Sequence, residues 1–144
     1  MSPLFASRSR QAATIPLCRT QAGDVRICLI RRRELAAWGI PKGFLDPGDT
    51  AGDAALREAY EEAGVSGRLI GDAIGTYTYR KRGSRFAVAV FLMEVVQEEA
   101  TWPEQRLRVR EWFEFEDGMT LLSGHPVSSL LDTVRARLAE GLNE

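Results

Sequence analysis

Residues 43–65 read GFLDPGDTAGDAALREAYEEAGV, a loop-forming segment that runs directly into a helix-forming one. Over 38–48 the chain holds two prolines and three glycines, which argue against a helix there. Thr50 and Asp53 have the spacing of a capping box, and the alanines and leucine that follow favour a helix until a glycine stops it. The sequence therefore predicts a shaped loop followed by a helix over about 51–63.

Three glutamates share one face of this predicted helix. Glu58 and Glu62 are four residues apart, and Glu61 lies three residues after Glu58, so the three carboxylates project together. Like charges at this spacing repel by roughly a few tenths of a kcal/mol per pair. A divalent cation would remove the repulsion, and Mg²⁺ prefers such oxygen ligands. Arg57 can brace neighbouring carboxylates. Two interpretations stay open, a metal site and a solvated acidic face.

Charge is segregated along the chain. The 144 residues include 19 Lys+Arg and 20 Asp+Glu, for a formal net charge of −1, and 44% are hydrophobic, as in ordinary globular proteins. Acids dominate 49–62, whereas cations cluster at 31–33, 80–85 and 106–110. An acidic segment among basic ones indicates a metal and a polyanion. The sequence pI of about 5.9 and the lack of a groove-reading motif argue against binding to duplex nucleic acid.

The sequence indicates a cytoplasmic protein that does not cross a membrane. Its longest uncharged apolar stretch, 86–93, is far shorter than the roughly 20 residues that a membrane helix needs. Residues 1–10 lack the apolar run of a secretory signal and are predicted to be a flexible basic start, followed by a single domain over 11–144. Cys18 and Cys28 form neither a disulfide framework nor a zinc motif, so both are expected to be buried thiols.

Strand and helix patterns surround the central segment and predict an α/β fold. Residues 86–96 are apolar on both alternating faces, which is typical of a central strand, and a basic turn at 80–84 would join them to 69–79 as a hairpin. Strands before, between and after two helices predict one α/β domain with helices on both faces of a mixed sheet. The other predicted elements are strands at 12–18, 25–31 and 107–115 and a closing helix at 126–142.

The loop-helix segment resembles the signature of the Nudix hydrolases, G-x5-E-x7-R-E-U-x-E-E-x-G-U, where U is aliphatic. One position departs from the family pattern, because Asp49 stands where the family has its first Glu and is one methylene shorter. The family's residue supports the helix carboxylates and the arginine, so this change bears on catalytic efficiency more than on metal binding. The matching residues are Gly43, Arg57, Glu58, Ala59, Glu61, Glu62, Gly64 and Val65.

The resemblance implies an α/β/α sandwich that hydrolyses a phosphoanhydride with Mg²⁺, or with Mn²⁺ in its place. It implies metal ligands at Glu58, Glu61 and Glu62, with main-chain help near Gly43. A bound cation would neutralise the charge that builds up on phosphate oxygens. The implied catalytic set is Asp49, Arg57, Glu58, Glu61 and Glu62.

The general base differs among Nudix members, and four downstream acids are candidates. Alternation along 107–115 places Glu111 on an apolar face, where a buried carboxylate needs a partner. It is then either a tuned acid or ligand, or a residue that a bulge or an ion pair turns outward. The four candidates are Glu98, Glu99, Glu104 and Glu111.

Accessory motifs resemble the branch that hydrolyses diphosphoinositol polyphosphates and diadenosine polyphosphates. They lie at 38–43, 110–113 and 125–126. The predicted partner is such a phosphorylated small molecule, and no feature indicates an oligomeric state. Two alternatives stay open: a nucleotide-pool hydrolase of modified nucleoside triphosphates, and a catalytically silent Nudix-like module that binds a nucleotide. The candidate phosphate contacts, each also explicable as a solvated surface charge, are Arg10, Lys42, Arg80, Lys81, Arg82 and Arg85.

Overall fold

A computed structural model of the chain describes residues 8–141. Within this range, strands and helices follow one another in an order that places the longest helix between the third and fourth strands. The elements are β1 (Arg8–Arg19), β2 (Val25–Arg32), β3 (Lys42–Phe44), α1 (Ala51–Ala63), β4 (Val65–Leu69), β5 (Gly75–Lys81), β6 (Ser84–Glu98), β7 (Arg108–Glu114), α2 (Phe115–Leu121), a 3₁₀ helix (Pro126–Leu130) and α3 (Leu131–Ala139).

The strands form one mixed sheet in the order β4-β6-β1-β2-β7. At its centre β1 and β6 run parallel, whereas the other neighbours are antiparallel. β3 pairs with the first half of β1, and β2 pairs with the last residues of β1. On the other edge of the central pair, β5 pairs with the first half of β6 and β4 pairs with its second half. β3 and β5 therefore lie at the same end of the sheet, on either side of its central pair.

Helices cover both faces of this sheet. Alternate residues of β1 contact opposite layers, as the pleat of a strand requires. Ala12 packs with Ala54 of α1, whereas Ile15 packs in the cluster that contains Met119 of α2 and Val134 of α3. The predicted α/β/α sandwich is confirmed. None of the helices described within 8–141 is long and apolar enough to span a membrane.

Several predicted boundaries are wrong because pairing partners, rather than local residues, set them. β1 begins at Arg8, inside the predicted flexible start, since its main chain pairs with β6 from Arg8 onward. Residues 1–7 lie outside the described part. The segment 69–79 is not one strand, because Gly71 turns with a φ of 70° and two separate strands, β4 and β5, pair with β6.

The helical elements after β7 also differ from the prediction. α2 was not predicted, since its seven residues follow β7 without a side-chain cap and include a glycine. The predicted closing helix begins instead as a 3₁₀ turn, where His125 Nδ1 accepts a hydrogen bond from the N–H of Val127 at 2.9 Å. Cys28 is buried as expected, but Cys18 is only partly buried.

Candidate active site

The termini of α1 are fixed by local hydrogen bonds. The Thr50 hydroxyl accepts from the N–H of Asp53 at 3.0 Å, and the Asp53 carboxylate accepts from the N–H of Thr50 at 3.4 Å, which confirms the predicted capping box. Gly64 ends the helix in the left-handed conformation, with φ 67° and ψ 29°. The alanines of the helix face the sheet, so Glu58 and Glu61 remain on the side that borders a cavity.

This cavity has a volume of about 780 Å³ and combines three kinds of side chain. Acids come from the helix and from two loops, cations come from β3, the helix and the β5–β6 hairpin, and aromatic rings come from β3, β5 and β6. A cavity of this size matches those that hold small molecules. Its lining comprises Asp46, Glu58, Glu61, Glu62 and Glu104; Lys42, Arg57, Lys81 and Arg82; Phe44, Tyr79 and Phe86; and Gln11, Gly43 and Ser84.

The Glu58 carboxyl group lies directly against the main chain of Gly43. A Cβ atom at position 43 would overlap that carboxyl group, so only glycine leaves room for it. Glu58 accepts no hydrogen bond from residues 8–141, and its nearest cation is Arg57 Nε at 3.9 Å. Burial, and next the charge of Glu61, raise the pKa of Glu58 to about 7.

Glu62 is almost fully enclosed and is held from two sides. Its side chain accepts from the main-chain N–H of Lys42 at 3.1 Å and pairs with Arg108 at 3.2 Å. Burial raises its pKa to about 7, although Arg108 acts in the opposite direction. The guanidinium of Arg108 also contacts Glu104 at 2.9 Å. Arg108 thus links the helix carboxylate to the loop carboxylate.

These pKa values predict how the stability of the metal-free protein depends on pH. The folded-state pKa values of Glu58 and Glu62, about 7, lie above their ordinary 4.5, so the folded state binds more protons at these groups between these values. Burial lowers the pKa of His125 to about 4, which offsets one of the two glutamates up to pH 6.5. The free energy of unfolding should therefore fall as pH rises from about 4.5 to 7, most steeply above 6.5, and then level off. Urea unfolding in a chelator at pH 5, 6, 7 and 8 measures this, with Glu58→Gln giving a shallower slope. A wild-type stability that rises through this window would contradict the account.

Arg57 is braced by carboxylates of the preceding loop. Its guanidinium contacts Asp49 at 2.8 Å and Asp46 at 3.6 Å and donates to the carbonyl of Phe44 at 3.1 Å. The Asp49 carboxylate also accepts from the N–H of Asp46 at 2.9 Å. This hydrogen bond, followed by the contact with Arg57, lowers the pKa of Asp49. Asp49 therefore reaches the arginine in spite of its shorter side chain.

We expect Asp49→Glu to keep kcat/KM within about threefold of wild type, whereas Asp49→Asn should lower it about tenfold. The longer acid still offers a carboxylate to Arg57, but the amide removes the anionic partner, and a charge-assisted hydrogen bond is roughly twice as strong as a neutral one. Steady-state kinetics on both variants measures the difference. A loss for Asp49→Glu as large as that for Asp49→Asn would show that the loop requires aspartate.

The donor atoms of the cavity suit a hard divalent cation. Among residues 8–141 no group donates a hydrogen bond to the Glu58 carboxylate, which rests on Gly43, and Glu61 lines the same cavity. Within residues 8–141 no three Asp, Glu, His or Cys side chains converge into a closed metal-binding group, and Glu62 is engaged by Arg108. Carboxylate and main-chain oxygens are the ligands that Mg²⁺ and Mn²⁺ take. The residues therefore fit the implied metal in their chemistry.

Three of the six predicted phosphate contacts line the cavity and three do not. Lys42, Lys81 and Arg82 line the cavity, and Lys42 Nζ lies 3.2 Å from the Tyr79 hydroxyl. Successive side chains of a strand point to opposite faces. Arg80 of β5 pairs in register with Arg85 of β6. Both side chains therefore stand on the face opposite Tyr79 and Lys81. The cations that the structure does not bring to the cavity are Arg10, Arg80 and Arg85.

Of the four candidate bases, Glu104 lines the cavity. Glu98 pairs with Arg110 at 2.9 Å, and Glu99 lies outside the lining. Of the two alternatives for Glu111, a buried tuned acid is contradicted and an outward-facing side chain is observed, because β7 is the last strand of the sheet order and Glu111 stands exposed there. Glu111 also lies on the face opposite Arg110, away from α1.

Several residues that line the cavity, or that hold its carboxylates as Arg108 does, were not predicted from the sequence. The Tyr79 hydroxyl donates to Gln11 Oε1 at 2.8 Å, and the Tyr79 ring stacks on Phe86 with centroids 5.0 Å apart. Alternation across the predicted hairpin could have paired these two rings. Gln11 and Arg108 carry no local signal, since their positions depend on strand pairing.

Comparisons with known proteins agree with this geometry. The family model described as "NUDIX domain" matches residues 8–129. Diphosphoinositol polyphosphate phosphohydrolase 2 from Mus musculus is 34% identical over 110 residues, which cover 76% of this chain and 61% of the relative. Diphosphoinositol polyphosphate phosphohydrolase 3-alpha from Homo sapiens is 32% identical over 112 residues, which cover 76% of this chain and 67% of that relative. The chain thus spans about 61% of the length of the first of these relatives.

Solved structures give the same result for the fold. The crystal structure of the Ap4A hydrolase of C. elegans superposes with a TM-score of 0.72 at 25% identity, covering 90% of this chain and 98% of that one. The family match covers well over half of the chain, including β1, the loop, α1 and the hairpin that together form the cavity. The chain belongs to the Nudix hydrolase family.

Proposed function

We propose that this protein hydrolyses a phosphoanhydride bond of a polyphosphorylated small molecule with Mg²⁺ or Mn²⁺. The observation that carries the proposal is a single cavity in which Glu58, Glu61 and Glu62 share the lining with Lys42, Lys81 and Arg82. The acids suit a cation and the bases suit phosphate oxygens. When bound, the metal ion would neutralise charge on the phosphates and lower the pKa of the attacking water.

Five side chains of the cavity have roles in this reaction. Glu58 and Glu61 would hold the cation, and Glu62 would join them when its ion pair with Arg108 loosens. Lys42 would orient the phosphate chain. As water forms its new bond to phosphorus and the bridging P–O bond breaks, one proton must leave the water, and Glu104 is our candidate to accept it, because it is the downstream carboxylate that lines the cavity. The phosphate group that leaves keeps the bridging oxygen, together with the electron pair of the broken P–O bond.

The aromatic side of the cavity favours a nucleoside group in the substrate. Tyr79 stacks on Phe86, and Phe44 meets Phe86 edge to face at 5.8 Å while remaining 51% exposed. Exposed rings bind flat bases by stacking, whereas an inositol ring offers no aromatic face. We therefore propose a dinucleoside polyphosphate as the substrate class. A diphosphoinositol polyphosphate is the second candidate, since the cavity's cations and the phosphohydrolase relatives favour it.

A substrate panel tests this choice. We would measure kcat/KM with Mg²⁺ for a diadenosine polyphosphate, a diphosphoinositol polyphosphate and modified nucleoside triphosphates under identical conditions. The proposal expects the diadenosine compound to be preferred by at least about tenfold, or roughly 1.4 kcal/mol of transition-state binding. Preference for triphosphates would favour a nucleotide-pool hydrolase. Binding without turnover would favour a silent nucleotide-binding module.

We also propose a cytoplasmic location. Cys18 and Cys28 are both unpaired, and free thiols are typical of a reducing compartment. Imaging of the tagged protein in cells would test the proposal, and accumulation in an oxidising compartment would overturn it.

A further inference from the structure

The last turn of α1 is intrinsically weak although it carries two of the cavity's acids. The final carbonyls of a helix have no partner within the helix, and carboxylates are disfavoured at this negative end of the helix dipole. Glu61 and Glu62 lie in this turn, which contains no basic residue. The N–H of Gly64 bonds back to the carbonyls of Ala59 and Tyr60, so it leaves the later carbonyls unsatisfied. Something outside the helix must hold this turn.

The connection between β6 and β7, together with β7 itself, supplies donors to four successive carbonyls, those of residues 61–64. The N–H of Glu104 donates to the carbonyl of Glu61 at 3.0 Å, and Trp102 Nε1 donates to the carbonyl of Glu62 at 3.0 Å. From β7, Arg110 Nη1 donates to the carbonyl of Ala63 at 2.9 Å. The series ends with the N–H of Glu99, which donates to the carbonyl of Gly64 at 2.8 Å. We call these four donors the clamp.

Trp102 and Arg110 are the two side chains of the clamp, and they pack against each other. The guanidinium lies over the indole ring, 4.1 Å from its centroid, and also donates to the carbonyl of Glu99 at 2.9 Å and pairs with Glu98 at 2.9 Å. A Cβ atom at Gly64 would approach both side chains to within 2.8 Å. The helix therefore ends in close contact with a cation, which offsets the helix dipole.

We propose that Trp102 and Arg110 are positioning residues that hold the last turn of α1, so that Glu61 and Glu62 keep their place at the cavity and bind the divalent cation. Neither residue lines the cavity, so they act through the helix. This inference rests on the proposed metal-dependent function. Residues that orient the metal ligands without contacting the metal typically change metal affinity by about 10–100-fold when they are removed.

Trp102→Phe tests the inference, because it keeps a ring beneath Arg110 and removes only the N–H donor. Trp38→Phe is the matched control, since the Trp38 ring packs edge to face on Phe113 at 5.1 Å and its N–H makes no hydrogen bond within residues 8–141. Two measurements apply to each variant: hydrogen exchange of the α1 amides without metal, and the Kd of Mn²⁺ from the paramagnetic resonance signal of the free ion. Arg110→Lys replaces Trp102→Phe if the latter does not fold.

The proposal expects Trp102→Phe to speed exchange in the last turn of α1 and to raise the Mn²⁺ Kd by about tenfold. Trp38→Phe should change neither. Unchanged exchange, or a Kd within about twofold of wild type despite faster exchange, would overturn the inference. If the wild-type protein binds no Mn²⁺, the proposed function itself fails, and the exchange data still report whether the donors hold the turn.

Discussion

Glu58→Gln is expected to lower kcat by at least about a hundredfold while the protein keeps its fold. The carboxyl group rests on Gly43, accepts no hydrogen bond among the described residues and lies 3.9 Å from Arg57 Nε, so its charge remains available to a cation. Loss of one group that stabilises transition-state charge, such as an oxyanion-hole donor, typically costs about 10²–10³ in kcat, and we expect a comparable loss when the cation loses Glu58. Steady-state kinetics at saturating Mg²⁺ measures the loss.

The folded state of this variant provides the control. Burial of an ionised carboxylate beside Glu61 raises the pKa of Glu58 to about 7, so the neutral amide should make the metal-free protein at pH 8 at least as stable as wild type. Circular dichroism and urea unfolding at pH 8 check this. Activity within about threefold of wild type would contradict the assignment of Glu58 to the metal site, and an unfolded variant would contradict the claim that its role is chemical.

Gly43→Ala should lower kcat/KM by about a hundredfold or more through a single added methyl group. The new Cβ would overlap the carboxyl group of Glu58 and push it out of place. Position 43 does not have a positive φ, so alanine fits the backbone. A displacement of about 1 Å in a reacting group can cost about 10² in rate. Gly124→Ala is the matched control, since a Cβ there meets no atom of the described residues within 4 Å.

A double variant distinguishes displacement of the Glu58 carboxyl group from a disturbance elsewhere in the structure. If the methyl group acts through Glu58, then Gly43→Ala combined with Glu58→Gln should be no less active than Glu58→Gln alone, because the two changes affect the same group. Full additivity of the two losses would indicate that Gly43→Ala disturbs the β3 strand or the loop instead.

Local signals in the sequence predicted the helix of the site well. Thr50, Asp53 and Gly64 act through hydrogen bonds within a few residues, so α1 was predicted with its observed ends. The shared face of Glu58 and Glu61 follows from helix geometry alone.

Features that depend on pairing across the sheet were missed or misplaced. Gln11 reaches Tyr79 only because β1 and β5 both flank β6, which no local pattern reveals. For Glu111, alternation gave the correct face, but it could not reveal that β7 lies at the edge of the sheet. Within the basic hairpin, composition could not separate Lys81 from Arg80, although strand geometry places them on opposite faces.

The most direct test of the account is phosphorus NMR of a diadenosine polyphosphate incubated with the purified protein, with and without Mg²⁺. The spectrum identifies the products and therefore the bond that is cleaved. The account predicts Mg²⁺-dependent loss of a phosphoanhydride resonance, with new terminal phosphate signals, and no comparable change with Glu58→Gln. Unchanged spectra with Mg²⁺, or cleavage that continues equally in Glu58→Gln, would contradict the claim that the carboxylates of α1 form the catalytic centre.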